Sequence, residues 1–324
     1  MTLPVKEIID QAIAQQTFGD QPTELYEPIR YIMALGGKRL RPTLTLLAYQ
    51  LFHDDSTSPS VLHPALAVEV FHNFSLMHDD IMDEAPLRRG KPTVHERWNA
   101  NVAILSGDVM LVKAYELLQY AAAEKLPKVL TAFNRCATEV CEGQQWDMNF
   151  ETISAVSETE YLRMIRQKTA VLLGFSLQLG GLLAEADQPT TQALYELGVN
   201  IGIGFQLKDD LLDVYADQAK FGKQPGGDII ANKKTFLLIK ALEKAEDEQH
   251  VKLVDWLSRP SFDKEEKVKE VTLLYDQLGI RALTEAAMND YFQQGLSQLD
   301  RIELDNSRKL PLRTFIEDLI HREK

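Results

Sequence analysis

The chain has 324 residues, a formal net charge of −13 and only two cysteines, Cys136 and Cys141. Such acidity argues against nonspecific binding to nucleic acid or to an anionic membrane surface, because both would repel the protein. The two cysteines lie in one predicted helix and are typical of reduced, buried thiols in a cytosolic protein rather than of a disulfide framework.

The apolar segments of the chain are too short to span a bilayer. The longest of them, VLLGFSLQLGGLLA at residues 171–184, has 14 residues, whereas a membrane-spanning helix needs about 20. The N-terminal segment MTLPVKEIIDQAIAQQ is acidic and amphipathic, unlike a signal peptide. We therefore expect a cytoplasmic protein without a membrane span.

Helical periodicity is found along almost the whole chain, whereas the alternation of β-branched and polar residues that is typical of strands is nearly absent. Helices are predicted at residues 5–16, 24–35, 42–53, 61–83, 101–123, 128–150, 158–185, 190–216, 233–246, 249–258, 262–277, 280–299 and 309–322. The central helices are apolar on most faces, as expected for the core of a helical bundle. No Gly/Ser-rich linker divides the chain, so we predict a single all-α domain over residues 1–324.

Two acidic motifs are the most specific feature of the sequence. LMHDDIMDE at residues 76–84 is echoed by QLKDDLLDV at residues 206–214, so that Asp-Asp-x-x-Asp occurs twice, 130 residues apart. Residues i and i+4 of a helix lie about 40° apart, which places Asp79 beside Asp83 and Asp209 beside Asp213. Like charges at this spacing repel, and near apolar residues a carboxylate needs a partner. A hard, oxygen-seeking cation such as Mg²⁺ supplies one.

A solvated acidic face would explain a single motif of this kind without any metal. It explains two copies less well, because each copy lies on an otherwise apolar helix. A calcium-binding loop is less compatible still, since no glycine occurs where such a loop makes its sharp turn. We therefore interpret both motifs as sources of ligands for a divalent metal ion.

Basic residues occur near both acidic motifs. GGKRLRP at residues 36–42 contains three of them, Arg88 and Arg89 follow the first motif, and Lys168 opens an apolar run. The one long irregular stretch, FGKQPGGDIIANKKT at residues 221–235, has the glycines and lysines of a mobile active-site loop. Each basic residue alone is typical of a solvated surface, but together they favour a diphosphate site that also uses metal.

Several ordered pieces of the chain resemble the trans-type (head-to-tail) polyprenyl diphosphate synthases over nearly its full length. These pieces are GGKRLRP, HNFSLMHDDIMDEAPLRRGKPTVH, GD at residues 107–108, KTA at residues 168–170, GIGFQLKDDLLDVYAD and GKQPGGDI. Their order and spacing make the resemblance more specific than a lone acidic motif. It implies an all-helical bundle of the isoprenoid-synthase type around a deep central cavity, and a homodimer.

The resemblance also implies a Mg²⁺-dependent prenyltransferase that condenses isopentenyl diphosphate with an allylic diphosphate (dimethylallyl, geranyl or farnesyl). Three Mg²⁺ ions would bind the allylic diphosphate together with Asp79, Asp80, Asp83, Asp209, Asp210 and Asp213. The diphosphate of isopentenyl diphosphate would bind Lys38, Arg41, His72 and Arg89. The allylic diphosphate would bind Arg88, Lys168, Lys223 and Lys233, and the catalytic group would be Lys168 with Thr169 and Gln206 beside the reacting carbon.

Product length would be set by side chains one to two turns before the first motif. Phe74 lies five residues before Asp79, about 7.5 Å along the helix axis. The helical wheel places Ser75 and Phe71 closer than Phe74 to the Asp79 face, so geometry alone does not single out Phe74. In the family, a bulky aromatic residue at the fifth position before the motif tends to close the cavity. The resemblance therefore implies a C20 product, with C15 as the next choice, unless Phe74 is an ordinary core residue.

Terpene cyclases and noncatalytic proteins are the alternatives. Cyclases typically pair one aspartate motif with an Asn/Ser/Glu motif, whereas this chain has two aspartate motifs and GGKRLRP. A noncatalytic regulatory subunit of a prenyl synthase, or a helical structural protein, would be expected to have lost an acidic motif, and both motifs are intact. Chain elongation is therefore the predicted function.

Overall fold

A computed structural model of the protein describes residues 5–216 and 226–321, and almost all of them lie in helices or short connections. The first elements are α1 (Val5–Gln15), α2 (Thr23–Ala34), α3 (Leu40–Gln50), α4 (Pro59–Met82), β1 (Leu87–Arg88), β2 (Lys91–Pro92), α5 (Val94–Arg97) and α6 (Ala100–Leu118). They are followed by α7 (Leu126–Thr152), α8 (Glu158–Ile165), a π-helical turn (Arg166–Ala170), α9 (Val171–Leu183) and α10 (Gln188–Tyr215). The last are α11 (Gly227–Ile230), α12 (Phe236–Lys244), α13 (Asp247–Ser258), α14 (Lys264–Gln277), α15 (Ile280–Arg301) and α16 (Asn306–His321).

The all-α prediction is confirmed, and the predicted helices agree with the observed ones to within a few residues at most ends. Within the described ranges, every helix is too short or too polar to cross a bilayer. The segment predicted as one helix over residues 158–185 instead contains a π-helical turn at Arg166–Ala170. Sequence periodicity misses this turn, because five residues are too few to distinguish a π-turn from an α-turn.

A small antiparallel hairpin, β1–β2, interrupts the helices directly after α4 and was not predicted. Arg88 pairs with Lys91 across the hairpin, and the two turn residues Arg89 and Gly90 have φ values of 53° and 74°. A tight two-residue hairpin turn of the type I′ kind requires positive φ at both positions. Glycine adopts this conformation at little cost, whereas Arg89 is held there by contacts described below.

The chain divides into two compact units whose segments alternate along the sequence. Unit 1 consists of Met1–Ala137, Leu172–Gly198 and Leu299–Phe315, and unit 2 of Thr138–Val171, Val199–Gln298 and Ile316–Lys324, each within the described residues. A single domain over the whole chain stays a prediction. The first acidic motif belongs to unit 1, and the second belongs to unit 2.

In unit 1, helix α4 packs mainly against α3 and α6. Half of its 24 residues are buried, as expected for a helix that is apolar on most faces. Its aromatic side chain Phe71 is 1% exposed and lies edge-to-face with Phe133, whose ring also contacts Phe175 and Tyr115. Burying a side chain of this size stabilises the fold by roughly 1.5–3 kcal/mol. This core fixes α4 in place up to the turn that carries the first acidic motif.

In unit 2, an apolar cluster surrounds the C-terminal end of α10. Its buried members are Leu211, Val214, Ile229, Leu237, Leu238, Ala241, Leu253, Trp256, Val271, Leu274, Tyr275 and Ile280. Leu211 and Val214 belong to the second acidic motif's own helical turns. The apolar faces of those turns therefore hold the acidic faces in a fixed orientation.

The cysteine prediction is half right. Both thiols are free, and Cys136 is buried, but Cys141 is exposed. Five residues correspond to about 140° of rotation along a helix, so two cysteines at this spacing on α7 point to different faces. The expectation that both thiols are buried is therefore wrong for Cys141.

Unit 1 also contains a buried ion pair that sequence reading did not identify. Arg39 is 6% exposed and donates from its Nη1 to Glu69 Oε1 over 2.8 Å and from its Nη2 to the Met33 carbonyl oxygen over 2.8 Å. Glu69, on α4, is 3% exposed. Arg39 precedes α3 in the left-handed region, with φ of 49°, so the pair links the start of α3 to α4.

We expect Arg39→Met to lower the free energy of unfolding by about 3–5 kcal/mol, because it leaves the Glu69 carboxylate buried without its cation. Urea denaturation at neutral pH measures the loss. The double variant Arg39→Met/Glu69→Leu should recover most of it, since an apolar pair removes the unpaired charge. Lys113→Met is the matched control: its pair with Glu116 (2.7 Å) has a half-exposed carboxylate and should contribute less than about 1 kcal/mol. An equal loss in Arg39→Met and Lys113→Met would contradict the prediction.

Candidate active site

The first acidic motif occupies the last turn of α4 in unit 1. Asp79 and Asp80 lie in the helix, and Asp83 is the residue directly after it. The Asp83 amide donates to the Asp79 carbonyl oxygen over 2.8 Å, so the predicted i, i+4 relation exists. Asp83 is exposed and Asp79 is half-buried, whereas Asp80 is only 2% exposed.

Asp80 is bound by Arg88 of the hairpin. The Arg88 Nε donates to both Asp80 carboxylate oxygens (2.9 and 2.8 Å), and its Nη2 donates to Oδ1 over 2.7 Å. Such a forked ion pair is among the stronger side-chain interactions. The predicted roles of Asp80 as a metal ligand and of Arg88 as a diphosphate ligand stay predictions, and either would compete with this pair.

The glycines of GGKRLRP make room for a second hairpin arginine. Arg89 donates from Nη1 to the Gly36 carbonyl oxygen. Gly37 has φ of 141°, and a Cβ atom there would lie 3.1 Å from the Arg89 guanidinium. A side chain at Gly37 would therefore be strained by its backbone and crowded by Arg89. The contact also explains how Arg89 is held with positive φ.

The four residues predicted to bind isopentenyl diphosphate, Lys38, Arg41, His72 and Arg89, all belong to unit 1. Burial lowers the pKa of the Arg41 guanidinium to about 10, and the nearby Glu69 carboxylate opposes that effect. Burial, followed by the positive charges of Arg41 and Arg89, lowers the pKa of His72 well below its usual range. His72 is thus a neutral imidazole at neutral pH, beside charged guanidinium groups. Lys38 is exposed in the same segment.

The three predicted chain-length residues lie one to two turns before Asp79. Phe71 is buried, with its ring 5.5 Å from that of Phe74. Phe74 is half-buried and lies edge-to-face on His78 at 4.8 Å. The Ser75 hydroxyl donates to the His72 carbonyl oxygen over 2.8 Å. Phe71 is therefore a core residue of unit 1, while Phe74 is partly accessible.

The second acidic motif lies in α10 of unit 2 and, like the first, has a buried middle aspartate. Asp209 is exposed, Asp213 is half-buried and Asp210 is 4% exposed. The Asp210 carboxylate accepts hydrogen bonds from the Tyr161 hydroxyl, from Gln206 Nε2 (3.3 Å) and from the Phe236 amide (3.4 Å). Burial raises the pKa of Asp210 to about 7, and the Tyr161 hydrogen bond opposes the rise.

The predicted catalytic residues of unit 2 lie close together. Lys168 and Thr169 belong to the π-helical turn. Helix α7 passes close to this turn at Gly143, where an added Cβ atom would lie 2.1 Å from the backbone nitrogen of Lys168. The Lys168 ammonium pairs with Asp147 over 2.5 Å, and the Thr169 hydroxyl donates to Gln206 Oε1 over 3.2 Å. A cavity of about 40 Å³ is lined by Asp147, Tyr161, Met164, Ile165, Lys168, Thr169, Gln206, Asp210, Lys233 and Thr235.

Three residues of this region were missed by sequence reading. Asp147 and Tyr161 are single polar residues in helical segments, without a repeated motif to mark them. Asp228 lies in the stretch predicted as a loop, and its amide donates to Asp213 Oδ2 over 2.9 Å. The only signal for Tyr161 is its position seven residues before Lys168, which places both on similar faces of a helix. Lys223 lies outside the described residues.

The acidic side chains suit a metal shared with a ligand rather than a closed metal site. Within residues 5–216 and 226–321, no three or more Asp, Glu, His or Cys side chains are grouped to form a metal site by themselves. Mg²⁺ is commonly bound by only one or two carboxylates together with water and phosphate oxygens. The oxygen donors of Asp79 with Asp83, and of Asp209 with Asp213, fit that requirement.

The chain is similar to a geranylgeranyl diphosphate synthase and to solved structures of such enzymes. The chain is 40% identical over 313 residues to a geranylgeranyl diphosphate synthase of Methanosarcina mazei, which covers 95% of this chain and 91% of that protein. It matches a crystal structure of a geranylgeranyl pyrophosphate synthase with a TM-score of 0.93 and 40% identity over 100% of both chains. It also matches, with a TM-score of 0.83 and 29% identity over 98% and 96% of the chains, the geranylgeranyl pyrophosphate synthase of Corynebacterium glutamicum complexed with isoprenyl diphosphate and magnesium.

A family profile described as Polyprenyl synthetase matches residues 22–275 of this chain. The matched range contains both acidic motifs, GGKRLRP, the hairpin arginines and the π-helical turn. The resemblance stated from the sequence is therefore confirmed. The chain belongs to the polyprenyl synthetase family of prenyltransferases.

Proposed function

We propose that this prenyltransferase condenses isopentenyl diphosphate with an allylic diphosphate and releases geranylgeranyl diphosphate, the C20 product. The observation that carries the proposal is the repeated burial pattern of the two acidic motifs: a buried central aspartate held by protein donors, between two more accessible carboxylates. The cationic residues near each motif, and the name of the Methanosarcina mazei relative, support it further.

The accessible carboxylates would bind Mg²⁺ ions, of which we propose three, together with the allylic diphosphate. Bound there, Mg²⁺ would neutralise the charge that develops on the diphosphate as its bond to the allylic carbon breaks. Lys168 and Lys233, with Arg88 and Lys223, would contact the same diphosphate as fixed cations. The Thr169 hydroxyl and Gln206 amide would lie beside the allylic carbon, where their dipoles stabilise positive charge.

The second substrate would be held by the cationic group of unit 1. Arg41 and Arg89 supply charged N–H donors that match diphosphate oxygens, Lys38 supplies an ammonium, and the neutral His72 supplies a hydrogen bond without a further charge. The double bond of isopentenyl diphosphate would attack the allylic carbon, and a proton would then leave for the released diphosphate. A buried protein nucleophile is not needed for this reaction.

We further propose that the protein is a homodimer and that it acts in the cytoplasm. Leu105 and Val112 of α6 are 59% and 56% exposed and lie seven residues apart, on one face of the helix. An exposed apolar helix face of this kind is typical of a protein interface. A terpene cyclase and a noncatalytic subunit are not favoured, because both acidic motifs are intact.

We expect Asp79→Ala and Asp209→Ala each to reduce turnover about 10²- to 10³-fold or more, since each removes a metal ligand that acts on the transition state. Incorporation of labelled isopentenyl diphosphate, measured over a Mg²⁺ titration, tests this, and chelator should abolish wild-type activity. Asp20→Ala is the control, because this carboxylate is 98% exposed. Circular dichroism verifies that helicity is unchanged. Near-wild-type turnover in either motif variant, or full activity in excess chelator, would refute the metal assignment.

We expect Phe74→Ala to shift the products from C20 to C25 or longer, because the partly accessible ring would no longer close the pocket for the growing chain. The cavity left behind should cost some stability, up to about 3–5 kcal/mol if the ring is tightly packed. Chromatography of the dephosphorylated products measures chain length, and Ser75→Ala serves as a neighbouring control that removes only a hydroxyl. An unchanged product distribution from a folded, active Phe74→Ala enzyme would instead point to Phe71 or to another helix.

A further inference from the structure

A fully buried lysine, Lys267 of α14, contacts the short segment at residues 230–232. Its side chain is 0% exposed. The ammonium donates to Asn232 Oδ1 over 2.6 Å, approaches the Ile230 carbonyl oxygen at 3.5 Å and lies 4.1 Å from the centre of the Phe262 ring. Burial lowers the pKa of Lys267. Desolvating an ammonium is costly, and an apolar side chain of similar length would fill this space without that cost.

The atoms that Lys267 holds belong to a short stretch with unusual backbone geometry. Ile230 is the last residue of α11, and Asn232 has φ of 54°, in the left-handed region. Asn232 is further fixed by its own Nδ2, which donates to the Leu257 carbonyl oxygen over 3.1 Å. Asparagine tolerates this conformation better than most residues. Lys267 therefore binds a side chain that is held on both sides at a sharp change of chain direction.

The same stretch carries residues that face the second acidic motif. The Gly226 amide donates to the Asp213 carbonyl oxygen over 2.6 Å, and the Asp228 amide donates to Asp213 Oδ2 over 2.9 Å. Lys233 follows Asn232 directly, and its amide donates to the Asp228 carbonyl oxygen over 2.9 Å. A displacement of Asn232 would therefore move Lys233, whose side chain lines the cavity that Asp210 also lines.

The contact between α14 and this stretch is close along its length. Gly226 has φ of 86°, and a Cβ atom there would lie 2.6 Å from the side chain of Val268, the residue after Lys267. Lys267, Asp228, Asn232 and Lys233 border one small cavity. Helix α14 thus supports the stretch by packing at its start and by a directed ammonium contact just before Lys233.

We propose that Lys267 is a positioning residue for the allylic diphosphate: by binding Asn232 it fixes the backbone that presents Lys233. The proposal rests on the function proposed above, in which Lys233 contacts that diphosphate. Lys267 does not touch substrate, and its effect passes through Asn232. Its removal should therefore weaken binding of one substrate selectively, which loss of overall stability would not do.

The test compares Lys267→Met with Lys269→Met, an exposed lysine on the same helix. We expect Lys267→Met to raise the KM for the allylic diphosphate roughly tenfold, by analogy with the loss of an outer-shell partner that orients a metal ligand. The KM for isopentenyl diphosphate should be unchanged, as should both KM values in Lys269→Met. Lys267→Arg, which keeps a cationic donor, should restore part of the lost allylic affinity.

Asn232→Gly probes the same contact without removing a buried lysine. Glycine keeps the left-handed backbone but removes the oxygen that Lys267 binds. It should reproduce the selective rise in allylic KM, and the double variant Lys267→Met/Asn232→Gly should be no worse than the more impaired single variant. This variant decides the question if Lys267→Met does not fold.

Equal changes in both KM values, a fall in kcat alone, or additive effects in the double variant would overturn the positioning role. Unchanged kinetics in a folded Asn232→Gly enzyme would also overturn it. A wild-type protein that transfers no prenyl group would instead refute the proposed function itself. The two failures are therefore distinguishable in one set of assays.

Discussion

Burial of two carboxylates at the ends of apolar helices is the constraint on which the rest of the structure depends. Asp80 and Asp210 are each less than 5% exposed, and a buried carboxylate must be paired or hydrogen-bonded. The two are satisfied differently, since Arg88 forms an ion pair with Asp80 whereas Tyr161, Gln206 and the Phe236 amide donate to Asp210. In each motif the buried aspartate anchors the helical turn and leaves its neighbours more accessible.

The local backbone around each motif follows from that requirement. After α4 the chain must reverse within a few residues to bring Arg88 back to Asp80, and it does so through a hairpin turn with positive φ at Arg89 and Gly90. The reversal also places Arg89 on Gly36 and Gly37. Around Asp210, donors come instead from three separate segments of unit 2. Burial raises the pKa of Asp210, the Tyr161 hydrogen bond opposes the rise, and the nearby Asp228 carboxylate adds to it.

The helices and both acidic motifs could be predicted from the sequence, because helical periodicity and the repeated spacing of the aspartates are local signatures. The roles of the cationic residues follow only from the family resemblance and stay predictions. The π-helical turn, Tyr161, Asp147 and Lys267 could not be predicted. Tyr161 meets Asp210 across 49 positions and Lys267 meets Asn232 across 35, so their partners are fixed by packing and leave no local pattern. For Cys141 the sequence predicts burial, because cysteine is usually a buried residue. That prediction is wrong, since Cys141 lies on an exposed face of α7.

The charge balance of unit 1 explains why a polyanion suits it. Burial is the largest cause that lowers the pKa values of His72 and Arg89, and neighbouring positive charges add to it: Arg41, Arg89 and Arg88 at His72, and Arg39 and Arg88 at Arg89. A group of cations that lower one another's pKa values is held together by the fold at an electrostatic cost. Glu69 offsets part of this cost, but it is already engaged by Arg39. A bound diphosphate would relieve the remaining repulsion, and the neutral His72 would add a hydrogen bond without adding to it. The same repulsion would therefore favour binding of a doubly or triply charged anion over a neutral ligand of equal shape.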